Sequence, residues 1–230
     1  MMRINKYIAK SGIASRRKAD ELIKQGKISI NDEIINSLGY DVKADDIVKF
    51  EGNIIKPIKD RYYFMLNKPI GYAVTHSRKF DDKIIFDLID IDTKLFSIGR
   101  LDKDSRGLIL ITNDGDIYNN IIHPRNEIFK KYIVKLNRDF NFSDKKKIEN
   151  GVDIGDYITN PSKIKILDKR TIQIEINEGK NRQIRRMFEV YNYEVIDLNR
   201  ISIGEIKLGD LSIGSYRDLS NKEVNYLKNL

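Results

Sequence analysis

The sequence predicts an α+β fold in two parts: a small basic unit over residues 1–60, and a larger unit over residues 61–230 on a mixed, largely antiparallel sheet. Three observations carry this. Apolar residues recur at helical spacing in some segments and alternate in others, without a regular βαβ rhythm. Positive charge is concentrated at the start: residues 1–27 hold eight cations (Arg3, Lys6, Lys10, Arg16, Arg17, Lys18, Lys24, Lys27) against Asp20 and Glu21, most of the chain's net charge of +8. Residues 51–61, EGNIIKPIKDR, are polar with Pro57 and read as a linker.

The elements follow in order. Ile4, Tyr7 and Ile8 stand at helical spacing within residues 3–10, and Gly12 closes that turn. Ser15 suits the N-cap of a second helix running to about Gln25, with Gly26 as its stop. Ala19, Leu22 and Ile23 form its apolar face, leaving Arg16, Arg17 and Lys24 for solvent or a ligand. Short strands are predicted around Lys27–Ile30 and Ile47–Phe50, separated by turns at Asn31-Asp32 and Asp45-Asp46. YYFMLNKPIGYAV, from Tyr62, reads as a strand broken by Lys68-Pro69-Ile70-Gly71, where proline presets φ and glycine frees it.

Leu95, Phe96 and Ile98 make an apolar run, Asp102 follows between Arg100 and Lys103, and Leu108–Ile111 make a second run. The pattern is strand, tight charged loop, buried strand, with Gly107 at the re-entry. Asn113, Asp114 and Gly115 suit the start of a helix carrying Ile117, Ile121 and Ile122; His123, beside Pro124, suits its end. Tyr132, Val134 and Leu136 alternate as in a half-buried strand, and Lys163–Leu167 pairs with Arg170–Ile176 over Asp168-Lys169. Asp144–Asn150 reads as a helix with three lysines on its wet face, and Asn181–Tyr191 as one with Ile184, Met187 and Phe188 inward. SYRDLSNKEVNYLKNL reads as a closing helix.

Composition bounds the chemistry. With 230 residues, 40% hydrophobic and 33% charged, the chain suits a folded globular protein. It has no cysteine, so disulfides, thiolate nucleophiles and thiolate zinc sites are excluded. Two histidines, His76 and His123, are too few for a multi-histidine metal centre, although 34 acidic residues leave room for a carboxylate-only magnesium site. The pI near 9.3 fits a phosphate-bearing partner. No apolar run is long enough to cross a bilayer and the first residues lack a signal-peptide core, so the expected compartment is the cytoplasm. The absence of heptads predicts a monomer.

The string from Gly99 to Gly115, GRLDKDSRGLILITNDG, resembles the active-site motif of the RsuA/RluB-type pseudouridine synthases. Three further segments match that family in order: Lys68-Pro69-Ile70-Gly71, Lys130-Lys131-Tyr132, and EGKNRQIRRMF from Glu178 to Phe188. RINKYIAKSGIASRRKADELIKQGKISIND resembles the S4 RNA-binding domain. Ser105 stands where the family has threonine, and Ile109 and Ile111 where it has leucine, keeping hydroxyl and bulk. The resemblance implies an S4 module at 1–60 and a catalytic domain with a central cleft at 61–230.

It also implies isomerisation of uridine to pseudouridine in ribosomal RNA or a pre-ribosomal particle, with no cofactor and no metal, because no group is donated from outside. Asp102 takes the place of the family's aspartate, acting by covalent attack or on a glycal route. Arg185 is expected as its fixed cation, with Arg182 as the alternative, and Tyr132 as the ring that stacks on the extruded uracil. Asp104 is the rival acid, two residues on. The residues expected on RNA are Arg3, Lys6, Arg16, Arg17, Lys18, Lys27, Arg100, Lys130 and Arg182. SRRKADELIKQGK and EGKNRQIRRMF look closer to the RluB-type large-subunit enzymes than to the small-subunit type. The rival readings are a 16S enzyme of the same family, a non-catalytic ribosome assembly factor, and a carboxylate hydrolase, which would need a second catalytic acid.

Overall fold

The computed structural model describes residues 1–77, 83–122 and 127–230. They divide into two compact units, Met1–Tyr62 with Asp92–Lys94, and Tyr63–Ile91 with Leu95–Leu230. His123 lies outside the described residues.

In the first unit, helices α1 (Ile4–Lys10) and α2 (Arg16–Lys24) pack on each other. Ser15 Oγ accepts from Lys18 N at 3.3 Å, and Gly26, at φ +68°, ends the second helix. Ile4, Ile8, Ala19, Leu22 and Ile23 meet in the core. Asn31 and Asp32 both adopt positive φ, turning β2 (Ile28–Ile30) into β3 (Glu33–Ile34) as a tight hairpin. The stretch expected to be a linker is in part structured. Glu51 and Gly52 make a similar positive-φ turn, so β5 (Val48–Phe50) returns as β6 (Asn53–Ile54). Ile55 is then buried, and Ile58 N donates to Lys10 O at 2.9 Å. Two pairing strands, β1 (Met2–Arg3) and β4 (Asp41–Val42), have no local signal, since their contact joins residues about forty positions apart.

The second unit is built on strands β7 (Tyr63–Lys68), β8 (Phe96–Ile98), β9 (Arg106–Thr112), β10 (Lys130–Leu136), β11 (Lys163–Ile166), β12 (Thr171–Ile176), β13 (Val195–Ile203), β14 (Ile206–Lys207) and β15 (Tyr216–Asp218). Their order is β11-β12-β10-β13-β9-β7-β15, with β8 on β9 and β14 on β13. Among these strands the pairing is antiparallel except between β13 and β9, where Asn199 faces Arg106 and Arg200 faces Gly107. That junction requires glycine: Gly107 has φ +106°, and a Cβ there would lie 2.4 Å from both Arg200 O and Asn199 Oδ1.

Leu108 to Ile111 are all buried, so β9 is covered on both faces. Leu108 and Leu110 share a core with Ile117 and Ile121 of α3 (Gly115–Ile122) and Leu227 of α6 (Asn221–Lys228). Helix α4 (Phe142–Glu149) packs on β11, and α5 (Gln183–Glu189) on β13 with Ile184, Met187 and Phe188 buried. Helix α5 begins later than the periodicity predicts because Arg182, its N-cap, adopts a left-handed conformation at φ 48°. The closing helix also begins later, capped by Ser220. Tyr216–Asp218 is claimed instead by the edge of β7, with Tyr216 opposite Leu66.

Candidate active site

Residues 99–105 leave β8 and re-enter the sheet as β9, and their main-chain carbonyls are bound from several directions. Arg100 O accepts from Arg200 Nη1 at 3.3 Å, and Asp102 O from Ser105 N at 3.1 Å. Lys103 O accepts from Gly71 N at 2.8 Å, Asp104 O from Arg185 Nη2 at 2.9 Å, and Ser105 O from Lys68 Nζ at 2.6 Å. At about 1 kcal/mol net for each bond, these contacts hold the loop by roughly 5 kcal/mol, enough to preorganise whatever it carries. The Lys68-Pro69-Ile70-Gly71 turn therefore has a definite task. Gly71, at φ +91°, presents its amide to Lys103, and Lys68 reaches under the loop.

Lys68 is fully buried and also donates to Pro69 O at 3.0 Å. Burial lowers its pKa to about 8; Asp104 and Asp102 oppose that shift, and Arg200 adds to it. Lys130 is lowered in the same sense, first by burial and then by Arg200. Lys68 and Arg200 thus form one electrostatic cluster with the loop's two acids, while the acid that opposes the shift of Lys130 is Glu178.

Above the loop opens a cleft of about 290 Å³ whose walls include Arg100, Asp102, Ser105, Tyr132, Lys180 and Arg182. Asp102 and Tyr132, expected together, both face it; Tyr132 is buried on β10, opposite Arg200 of β13. The far wall is knitted by Gln183, whose Oε1 accepts from Lys180 N at 3.0 Å and whose Nε2 donates to Glu178 Oε1 at 2.6 Å. A second cleft of about 350 Å³ lies at Glu127, Lys131, Glu175, Glu205 and Tyr226, with Lys131 paired to Glu175 at 3.1 Å.

The cation expected on Asp102 is found elsewhere. Arg182 Nη1 lies 3.0 Å from Asp104 Oδ2, and Arg185 Nε lies 3.3 Å from the same oxygen. Arg185 also donates to Asp104 O and Val195 O. The pairing of Arg185 with Asp102 is therefore corrected to a pairing with Asp104. The physical reason is that Asp104 presents both a carboxylate and a carbonyl to the start of α5, so two arginines converge on it. Asp102 is left facing the cleft.

Of the residues expected on RNA, Arg100 and Arg182 line the cleft, and Lys130 does not; its amine turns back to Ile128 O at 3.3 Å. In the first unit, Arg16, Arg17 and Lys18 are exposed on the first turn of α2, which carries no acidic residue. Cations there oppose the helix dipole by some tenths of a kcal/mol each, a placement the helix itself does not favour. Arg16 reaches Asn5 Oδ1 at 3.5 Å, Lys18 pairs with Glu21 at 2.7 Å and Lys27 with Glu51 at 2.7 Å. Arg3 contacts Gly39 O and lies 3.5 Å from Asp41, while Lys6 sits on α1. The sequence reading gave no role to Lys68 or Arg200. Arg200 carried no local signal: Leu198, Arg200 and Ser202 are the buried alternate positions of β13, so its charge interrupts the apolar alternation that would mark them.

Residues 62–190 match the family model for RNA pseudouridylate synthase, and residues 2–48 that for the S4 domain. The ribosomal large subunit pseudouridine synthase B of Bacillus subtilis (strain 168) is 38% identical, over 100% of this chain and 97% of that protein. The dual-specificity RNA pseudouridine synthase RluF of Escherichia coli (strain K12) is 38% identical, over 97% of this chain and 77% of its own length. A pseudouridylate synthase crystal structure superposes with a TM-score of 0.73 at 32% identity, covering 99% of this chain and 100% of the other. The chain belongs to the RNA pseudouridylate synthase family, and it is an RNA pseudouridine synthase with an S4 domain. Among the described residues no helix is long and apolar enough to cross a membrane.

Proposed function

We propose that the chain isomerises a specific uridine of ribosomal RNA to pseudouridine, in the 23S RNA of the large subunit, acting in the cytoplasm as a monomer. The observation that carries this is the cleft lined by both Asp102 and Tyr132, with Asp102 on a loop bonded at five of its carbonyls. The name of the Bacillus subtilis relative supports the large subunit.

Asp102 supplies the carboxylate, which either bonds to C1′ as N1 leaves and is displaced when C5 bonds there, or takes the C2′ proton to form a glycal and returns it as C5 bonds to C1′. The N1–C1′ bond breaks, the uracil turns, and C5 bonds to C1′. The C5 proton leaves and N1 gains one, so the product is an isomer and no co-reactant enters. Tyr132 stacks on the extruded base, and Arg100 fills the place it vacates. Arg185 serves as a positioning residue through Asp104, and Arg182 stands at the cleft wall for the RNA backbone. Arg16, Arg17 and Lys18 anchor phosphates from the S4 unit, giving affinity but little sequence information. The equal identity to the dual-specificity enzyme favours a second reading, in which more than one RNA is modified.

The test is modification of deproteinised RNA from a host lacking this gene, read by primer extension after carbodiimide treatment. Wild type should create a new stop in 23S RNA and Asp102→Asn none. A stop confined to 16S RNA would overturn the subunit assignment, and stops in several RNAs would establish the second reading. No stop in any RNA would favour the assembly-factor reading or a substrate present only in the pre-ribosomal particle.

A further inference from the structure

We propose that Arg200 is a positioning residue for the reaction, its buried guanidinium fixing the carbonyl of Arg100 and so the entry to the loop that carries Asp102. Arg200 is 3% exposed. Its Nε donates to Leu108 O at 2.7 Å and its Nη1 to Arg100 O at 3.3 Å, while its Nη2 is buried with no hydrogen-bond partner. Its bonds run to main-chain carbonyls and not to a carboxylate. A guanidinium buried in that way burdens the fold, and an apolar side chain of similar volume would burden it less. Stability therefore gives no reason for the charge, and the reason is sought in what it holds.

Arg200 is launched from a fixed point. Its main chain meets Gly107 so closely that no Cβ fits between β9 and β13. On its other side it stands opposite Tyr132, beside a register shift between Lys131 and Tyr132. Asp102 and Tyr132 come from segments thirty residues apart in sequence, yet both are referenced to this one residue: Tyr132 through the strand pairing, Asp102 through the carbonyl two residues before it. Misplacing a reacting group by about 1 Å can cost 100-fold in rate, so a shared reference point of this kind is worth a buried charge.

The inference rests on Asp102 being the reactive carboxylate, and the experiment separates the two claims. Full-length Arg200→Met, Arg200→Lys and Asp102→Asn are compared with wild type in turnover and KM on 23S RNA, alongside thermal melts. Arg200→Met should melt within a few degrees of wild type or above it, with KM within about threefold and kcat lower by about 100-fold. Arg200→Lys, which keeps the charge and one reach, should recover to within about tenfold of wild type. Unchanged kcat in Arg200→Met, a loss carried by KM alone, or unfolding at the assay temperature would each overturn the proposal, the last by making Arg200 a folding residue. Activity in Asp102→Asn would instead overturn the reading of Asp102, whatever the Arg200 variants do.

Discussion

Gly107→Ala strikes the parallel contact between β9 and β13, and its magnitude follows from two separate terms. The first is backbone strain: φ is +106°, a region that costs an L-residue about 1–2 kcal/mol or more. The second is overlap. The new Cβ would stand 2.4 Å from Arg200 O and 2.7 Å from Arg200 N, main-chain atoms of a central strand that cannot swing away, and 2.4 Å from the side-chain Oδ1 of Asn199. Overpacking of a core of this kind costs about 1–3 kcal/mol, so the sum is about 2–5 kcal/mol. In a unit of this size each kcal/mol lowers the melting temperature by about 2–4 °C, which gives a loss near 10 °C. Gly99→Ala is the control: Gly99 has φ +73° but nothing within 4 Å of its Cβ position, so it bears the strain term alone. Circular-dichroism melts of both variants measure the difference. Equal losses in the two would refute the argument that close approach of β9 and β13 fixes the glycine.

Lys68→Met should change how stability responds to pH. The native amine titrates near 8 and the unfolded one near 10.5, so between those values the unfolded chain binds more protons and the wild-type fold gains stability with rising pH. Urea melts at pH 7 and pH 10 should show wild type gaining on Lys68→Met by up to about 3 kcal/mol, and parallel curves would contradict the burial of that charge. Replacing Arg16 and Arg17 together with alanine should weaken RNA binding and flatten the slope of log affinity against log salt by about one to two, with kcat at saturating RNA unchanged. An unaltered slope in a filter-binding titration would remove α2 from the RNA interface.

Much of this architecture is legible locally. The cap at Ser15, the positive-φ stop at Gly26, the uninterrupted apolar run of β9 and the alternation of β10 and β12 each state their element within a few residues. What local pattern misses is pairing at long range. Strand β13 reads poorly because two of its inward positions, Arg200 and Ser202, are polar, and the partners of Arg200 lie about a hundred residues away on β9 and the Asp102 loop. The strand Asn53–Ile54 is hidden in a polar stretch whose turn residues, Glu51 and Gly52, announce a hairpin only once their φ angles are known. At the site, Asp102 and Tyr132 are legible as motif members, and they share the cleft. The partner of Arg185 is not legible, because acids two residues apart differ only in which way the loop turns them.

That last distinction bears on the central claim, that Asp102 and not Asp104 is the carboxylate of the reaction. The most direct measurement is single-turnover release of tritium from C5-labelled uridine in 23S RNA by Asp102→Asn and Asp104→Asn. Asp104→Asn loses the charge that gathers Arg182 and Arg185 but keeps its carbonyl bond to Arg185, so it should release tritium about tenfold more slowly than wild type, within the range of a lost charge-assisted contact. Asp102→Asn should release none. Turnover in Asp102→Asn together with silence in Asp104→Asn would contradict the account.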